Sequence, residues 1–436
     1  ELGIIELEDR SKLDDGEFTI EQREYEVEAP CVKVNSSVLS YQQTLLIGQG
    51  SLQVNLSGQS SDRKELEPDS LGPFERVAME MSTFTADARY VTDPSKKRGW
   101  TIGLQGMGQN NTNSGRDTVV ADSKTADVGA YALGRFTFSK IDVLFGGRFD
   151  QRTITLSDNL YFRSPSFSAG LRWYATSDIT VRLNAASGFS APNVYQLTAY
   201  GKKEGGYRYE TGDLNLKVSQ NNQADFSFAF EKPSFRLSVS AYTNMINDKV
   251  YLAPTGNTTD SLPVYQFRQS DASINGFEAG LDVHPADVSW VDLAISYASI
   301  RGKLTGGKGY LPAQPADKLV AAITFSKDRM QDLYRPYIRF AVSSYAAMNR
   351  VAEFEATTDS YMLFDVHLGG AIKIGQHFMD VAVSGTNLLN TGYYNHLSLI
   401  PRDLQILEMG RNISLRLSIP FGIVNPDRPK SAPSGS

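Results

Sequence analysis

One stretch, Ser166 to Lys217, narrows the possible folds more than any other part of the chain. Phe167, Ala169, Leu171, Trp173 and Ala175 alternate with Ser168, Gly170, Arg172 and Tyr174. A polar turn, Thr176-Ser177-Asp178, follows, and then Ile179, Val181, Leu183 and Ala185 alternate with Thr180, Arg182, Asn184 and Ala186. A period of two belongs to a strand with one apolar and one polar face. Two such strands joined by so short a turn form an antiparallel hairpin. The next alternating run begins only after a long segment rich in Gly, Tyr and Lys, GFSAPNVYQLTAYGKKEGGYRYETGDLNLK. Short turn, paired strands and long decorated connection make a unit that recurs along the chain.

Alternation alone fits a soluble sandwich, in which one face of each sheet meets a core. The connections favour another architecture because they sort by parity. Gly48–Gly50, Ser139–Lys140, Thr176–Asp178, Lys232–Ser234 and Pro285–Ser289 are short. Ser61–Arg76, Asn111–Ala126, Ser190–Asp213, Thr255–Pro263, Lys303–Asp317, Ala346–Ser360 and Asn390–Gly410 are long. Short turns at one end and long loops at the other characterise outer-membrane barrels, and the alternating runs number roughly seventeen. Arg236 and Asp365 point the same way. Each would cost several kcal/mol unpaired in a dry core, and a wet lumen removes that cost. The fold expected is all-β, an antiparallel transmembrane β-barrel.

Composition agrees with that class. There is no run of about 18 apolar residues, which excludes a membrane-spanning helix and says nothing against strands. With 43 Lys and Arg against 49 Asp and Glu, the net charge of -6 argues against a nucleic-acid partner. The single cysteine, Cys31, forbids an internal disulfide. Residues 1–31 read as an acidic loop with a partial strand near Glu17–Tyr25, 32–421 as the barrel region, and 422–436 as an irregular tail rich in Pro and Ser. Glu1 opens the chain without a signal segment, which reads as processing or truncation.

No phosphate loop, zinc-binding histidine spacing or nucleophile elbow is present, so no cofactor, metal ligand or catalytic residue is assigned. The informative loop is Asn193–Asp213. Tyr195, Tyr200, Tyr207 and Tyr209 set aromatic faces beside Lys202, Lys203 and Arg208, a combination that suits anionic, aromatic metal chelates. The alternative is that these tyrosines pack on neighbouring loops. Arg148, Asp150, Arg172, Arg182 and Asn184 fall on the polar, lumen-facing side, where they pair with one another, with a plug or with ligand. Asn110, Asn111 and Asn113 sit where a strand meets a loop, to touch ligand or shape a turn.

The segment GFSAPNVYQL, with YRYETGDLNLK downstream, resembles the signature of TonB-dependent outer-membrane receptors. LIGQGSLQVNLSGQSSDRKE, GWTIGLQGMGQNNTNSG, PVYQFRQSDASINGFEAGLDVHP, SGTNLLNTGYYNHLS and MGRNISLRLSIPF resemble further receptor-barrel blocks, in order, between about Val32 and Phe421. The resemblance implies uptake of a scarce nutrient across the bacterial outer membrane, with a ferric siderophore or similar metal chelate favoured. It also implies a barrel of about 22 strands around a plug, and as partners the nutrient, the TonB complex through that plug, and outer-membrane lipid. Here no plug or TonB-contacting segment precedes Glu1, the strands are about five fewer, and a tail follows Phe421. The expectation is therefore the C-terminal part of a receptor barrel, lacking plug and first strands, which alone neither closes nor transports. Its last strand, Asn412–Phe421, is expected to pair with Phe378–Leu388 on one side only. Two other classes fit the strands without the motifs: a passive porin-like or adhesin-like barrel, and a barrel hydrolase with a Ser/His pair at one rim.

Overall fold

The computed structural model describes residues 29–70, 72–93, 96–202, 208–375, 377–398 and 405–419. The strand expected at 17–25, the loop residues Lys203 and Tyr207, and the tail from Phe421 lie outside the described residues.

The first eight strands are β1 (Cys31–Ile47), β2 (Gly50–Glu67), β3 (Phe74–Thr92), β4 (Arg98–Asn113), β5 (Ser123–Phe138), β6 (Ile141–Thr155), β7 (Asn159–Tyr174) and β8 (Ile179–Ser190). A five-residue helix, α1 (Val194–Thr198), and two short strands, β9 (Tyr200–Lys202) and β10 (Tyr209–Thr211), occupy the long connection that follows. Then come β11 (Ser219–Lys232), β12 (Phe235–Thr259), β13 (Leu262–Val283), β14 (Val291–Leu304) and β15 (Lys318–Ser326). The chain continues with β16 (Arg329–Met330), β17 (Leu333–Tyr345), β18 (Tyr361–Ile374), β19 (His377–Thr386) and β20 (Asn412–Ser418).

All but β9, β10 and β16 belong to one antiparallel meander of seventeen strands, in agreement with the alternating runs. Each pairs with the next, β8 passing to β11 and β15 to β17. The register pairs β20 with β19 from Thr386 opposite Asn412 to Asp380 opposite Ser418. Among the described residues the registers pair β20 with β19 and β1 with β2.

The strands run further toward the long connections than hydrophobic alternation indicates. Ser61–Arg76 reads as a loop, yet β2 continues to Glu67 and β3 starts at Phe74, paired with one register shift at Arg76. Likewise β12 and β13 meet in a tight turn at Asp260 and Ser261, with φ of 51° and 63°, where a long loop was expected at Thr255–Pro263. Two successive positive φ values suit a two-residue hairpin turn. The cause is common to both. Past the apolar zone neither face must be greasy, so the period disappears, but main-chain groups still need partners and the ladder persists.

Two faces emerge from the registers. Arg172 lies opposite Asp142 and Arg182, and Asn184 opposite Gly170 and Asp225, all on the polar face that also carries Arg148 and Asp150. The other face exposes Phe167, Trp173 and Leu183. Near the short turns it carries aromatic clusters: Trp100 with Phe136 and Phe145, and Trp290 with Phe325 and Phe340, all with centroids 5.4–6.4 Å apart.

Candidate functional site: the polar face and its mouth

Side chains on the polar face are tied across strands. Arg148 donates Nε to Asp150 at 2.6 Å and Nη1 to Gln105 at 2.6 Å, with its guanidinium 5.5 Å above Tyr131. Arg152 grips Asp127 through two hydrogen bonds of 2.8 and 2.6 Å. Asn184 donates to Asp225 at 2.8 Å, and Arg172 donates to the Tyr174 hydroxyl at 3.2 Å. Arg182, opposite Arg172, forms no hydrogen bond or ion pair among the described residues. A cavity of about 620 Å³ lies over this wall, lined by Asn55, Asp87, Gln105, Asp127, Arg148 and Arg152 among others. Bidentate Arg–carboxylate pairs fix side chains in place and leave a wettable surface.

At the long-connection end the segment from Ala191 to Val218 folds back on the strands. Asn193 opens α1 with a capping box: its side chain accepts from Gln196 N at 2.8 Å while the Gln196 side chain accepts from Asn193 N at 3.1 Å. This aims Leu197 into a cluster with Ile154, Phe162 and Leu216, against which Val250 and Phe267 pack. β10 then runs parallel to β13, with Tyr209 opposite Val264. On the other side of the same hairpin the connection after β14 is anchored by Leu304 and Leu311, which pack with Ala272, Tyr251 and Ile274. Gln314 clamps it: Oε1 accepts from Gly302 N at 2.5 Å, and Nε2 donates to the carbonyls of Gly302 and Leu311 at 2.9 and 2.7 Å.

Glu210 gathers part of the aromatic and cationic loop. It is 2% exposed and accepts from the Tyr195 hydroxyl at 2.5 Å and from Arg208 Nε at 2.7 Å. Arg208 also lies 5.3 Å over the Tyr265 ring, and Tyr195 meets Phe267 edge-on at 5.7 Å. Burial, and then the Glu210 acceptor, push the Tyr195 phenol far above its ordinary pKa. Burial and a hydrogen bond with Tyr200 push the Tyr209 phenol up to about 12. Tyr200, edge-on to Tyr209 at 5.5 Å, stays 70% exposed, and Lys202 is exposed beside it.

Of the residues singled out from sequence, Tyr195 and Arg208 therefore come together on a carboxylate that sequence reasoning passed over, while Tyr209 pairs with Tyr200 instead. The signal for that carboxylate was the alternation in YRYET, which sets Arg208 and Glu210 on one side of a short strand. Asn111 and Asn113 hydrogen-bond to the carbonyls of Ala121 and Val120 at 3.3 and 2.8 Å and so shape their own connection. A cavity of about 430 Å³ opens beside Arg208, walled by Lys249, Tyr251, Tyr265, Leu311 and Phe354. Lys249, Tyr251 and Phe354 were not foreseen, because they come from two segments, β12 and the connection after β17, that lie far from the loop in the chain. Among the described residues no group of three or more His, Cys, Asp or Glu is placed to hold a metal ion.

A one-layer antiparallel meander, polar and cavity-bearing on one face and greasy on the other, is the wall of a membrane β-barrel. The chain belongs to the TonB dependent receptor-like β-barrel family, whose model it matches over residues 22–388. No curated protein sequence matches it. In structure it is similar to the copper transporter OprC, with a TM-score of 0.73 at 15% identity over 89% of this chain and 65% of that one. It is also similar to the FrpB iron transporter from Neisseria meningitidis, with a TM-score of 0.68 at 14% identity over 88% and 62%. A third is BauA, the ferric preacinetobactin receptor from Acinetobacter baumannii, with a TM-score of 0.67 at 14% identity over 89% and 63%. The chain thus spans a little under two thirds of each of these proteins.

Proposed function

We propose that the protein is a TonB-dependent transporter of the bacterial outer membrane that takes up a metal chelate, a ferric siderophore or close relative. The apolar face with its aromatic clusters meets lipid, and the polar face lines the route of the cargo. The TonB complex, acting through a plug, supplies the energy. One observation carries the choice of cargo: Arg208 and Lys249 converge with Tyr251, Tyr265 and Phe354 on a single cavity at the mouth. Cations beside aromatic faces suit an anionic chelate with aromatic donors, through charge and stacking together. The metal cargoes named for OprC, FrpB and BauA are in keeping with this reading. Tyr200 and Lys202, the exposed members of the loop, are the first groups such a ligand would meet.

Growth of a deletion strain on defined iron sources tests the proposal. Loss of growth on one ferric chelate, restored by the wild-type gene and not by Arg208→Ala with Lys249→Ala, is the expected result. Normal growth on every iron source together with a defect on another nutrient would sink the iron assignment. Uptake that persists without the TonB complex would sink the energised mechanism.

A further inference from the structure

A third cavity, of about 330 Å³, adjoins the one beside Arg208 and shares Ile300 and Pro315 with it. Its floor is one row across five neighbouring strands: Glu278, Ala298, Lys318, Tyr345 and Tyr361 stand opposite one another in turn. Tyr361 is sandwiched between Tyr345, at 4.5 Å and 16°, and Tyr393, at 4.3 Å and 27°. Lys318 Nζ caps this stack, 5.1 Å over the Tyr345 ring. The row therefore sets a carboxylate and an ammonium on either side of a methyl group.

Neither charge is satisfied by a counter-ion. Among the described residues Glu278 makes no hydrogen bond or ion pair, and the aromatic stack is the one interaction of the Lys318 ammonium. Their strands are separated by β14 alone, so the two Cα atoms stand about 10 Å apart at the usual strand spacing. The aromatic stack holds Lys318 on the side away from Glu278, and Ala298 leaves the gap open. Elsewhere on this wall opposite charges within reach close on each other, as Arg148 does on Asp150 two residues along β6. Here they face a cavity.

We propose that this cavity binds a small zwitterion of dipeptide length, its ammonium on Glu278 and its carboxylate on Lys318. Two residues of extended chain span about 7 Å, which fits within the gap of about 10 Å between the two strands. A molecule capped at one end, or a purely anionic one, leaves one of the two charges without a partner, so the site discriminates by charge at both ends of the ligand. The inference rests on the transport reading only in taking the polar face as an open, wet lumen. It names a ligand chemistry that the cavity beside Arg208 does not.

Calorimetric titration of the full-length protein in detergent with the dipeptide Ala-Tyr, its N-acetyl form and its C-terminal amide tests the idea. Saturable binding of the free dipeptide is expected, weakened at least about tenfold by either cap. Glu278→Gln should abolish the penalty of the N-acetyl group and leave that of the amide, and Lys318→Met should do the reverse. Both side chains project from a finished sheet, and far-UV circular dichroism identifies any variant that fails to fold. For such a variant the comparison of capped and free ligands on the wild type decides the question. No saturable binding at millimolar dipeptide, or equal binding of free and capped forms, overturns the proposal. Chelate uptake that persists in that case leaves the transport reading intact, whereas dipeptide binding without any chelate uptake removes that reading and keeps this one.

Discussion

The phenol ring of Tyr242 covers Gly276 on the adjacent strand, so closely that a Cβ there would come within 2.1 Å of the ring. Tyr131 covers Gly103 in the same way, at 2.4 Å. An aromatic ring lying on a cross-strand glycine shields main chain that lacks a side chain of its own and fixes the register. Gly276→Ala is expected to displace the ring and cost about 1–3 kcal/mol, as overpacking does. Gly58→Ala, with nothing within 4 Å of the new methyl group, should be neutral or slightly stabilising. Denaturant midpoints of the two variants in detergent check this, and equal shifts would refute the role given to the ring.

The assignment of faces makes a second pair of variants informative. Leu183→Arg places a charge on the apolar face and should cost about 2–4 kcal/mol if it lies at the bilayer midplane. Asn184→Arg, one residue on, enters the polar face beside Asp225, with which Asn184 is now hydrogen-bonded at 2.8 Å, and should be tolerated. Folding yield into lipid vesicles separates them. Equal damage from both would contradict the assigned faces.

Tyr195 and Tyr209 should titrate late. Both phenols are raised in the folded protein, so the stability they contribute is fully present below the unfolded value of about pH 10 and is lost as pH rises above it toward the folded values. An absorbance titration of tyrosinate should show a late-ionising fraction that Tyr195→Phe reduces. The same substitution removes a donor from a buried carboxylate, at a cost of about 1–3 kcal/mol, and should speed proteolysis of the connection between β8 and β11. An unchanged titration curve would contradict the burial of Tyr195.

Gln314→Ala strips three hydrogen bonds from a buried clamp. Amide exchange at Gly302 and proteolysis within 304–317 should both accelerate, by an amount that corresponds to about 1–3 kcal/mol for the exposed main-chain groups. Unaltered exchange would show that the connection is held by Leu304 and Leu311 alone.

The strands were legible because lipid and water impose a period of two on the residues between them. Phe226, Phe228 and Phe230 alternate with Asp225, Ser227 and Ala229, and that pattern survives any change in the loops. Strand ends were not legible: at Ser61–Glu67 polar residues lie on both faces and only main-chain pairing marks the strand. The mouth was half legible. Aromatic and basic residues in GKKEGGYRYE announced a loop of interest, but the partner that orders it, Glu210, reads in sequence as one more acidic residue. Contacts such as Tyr195 with Phe267 join residues far apart in the chain, and local pattern carries no information about them.

The β12–β13 hairpin is gripped on both sides, by Leu197 and Leu216 through Val250 and Phe267, and by Leu304 and Leu311 through Tyr251 and Ile274. The two connections therefore share one support: loss of either apolar grip, Leu197 with Leu216 or Leu304 with Leu311, strips packing from the same pair of strands.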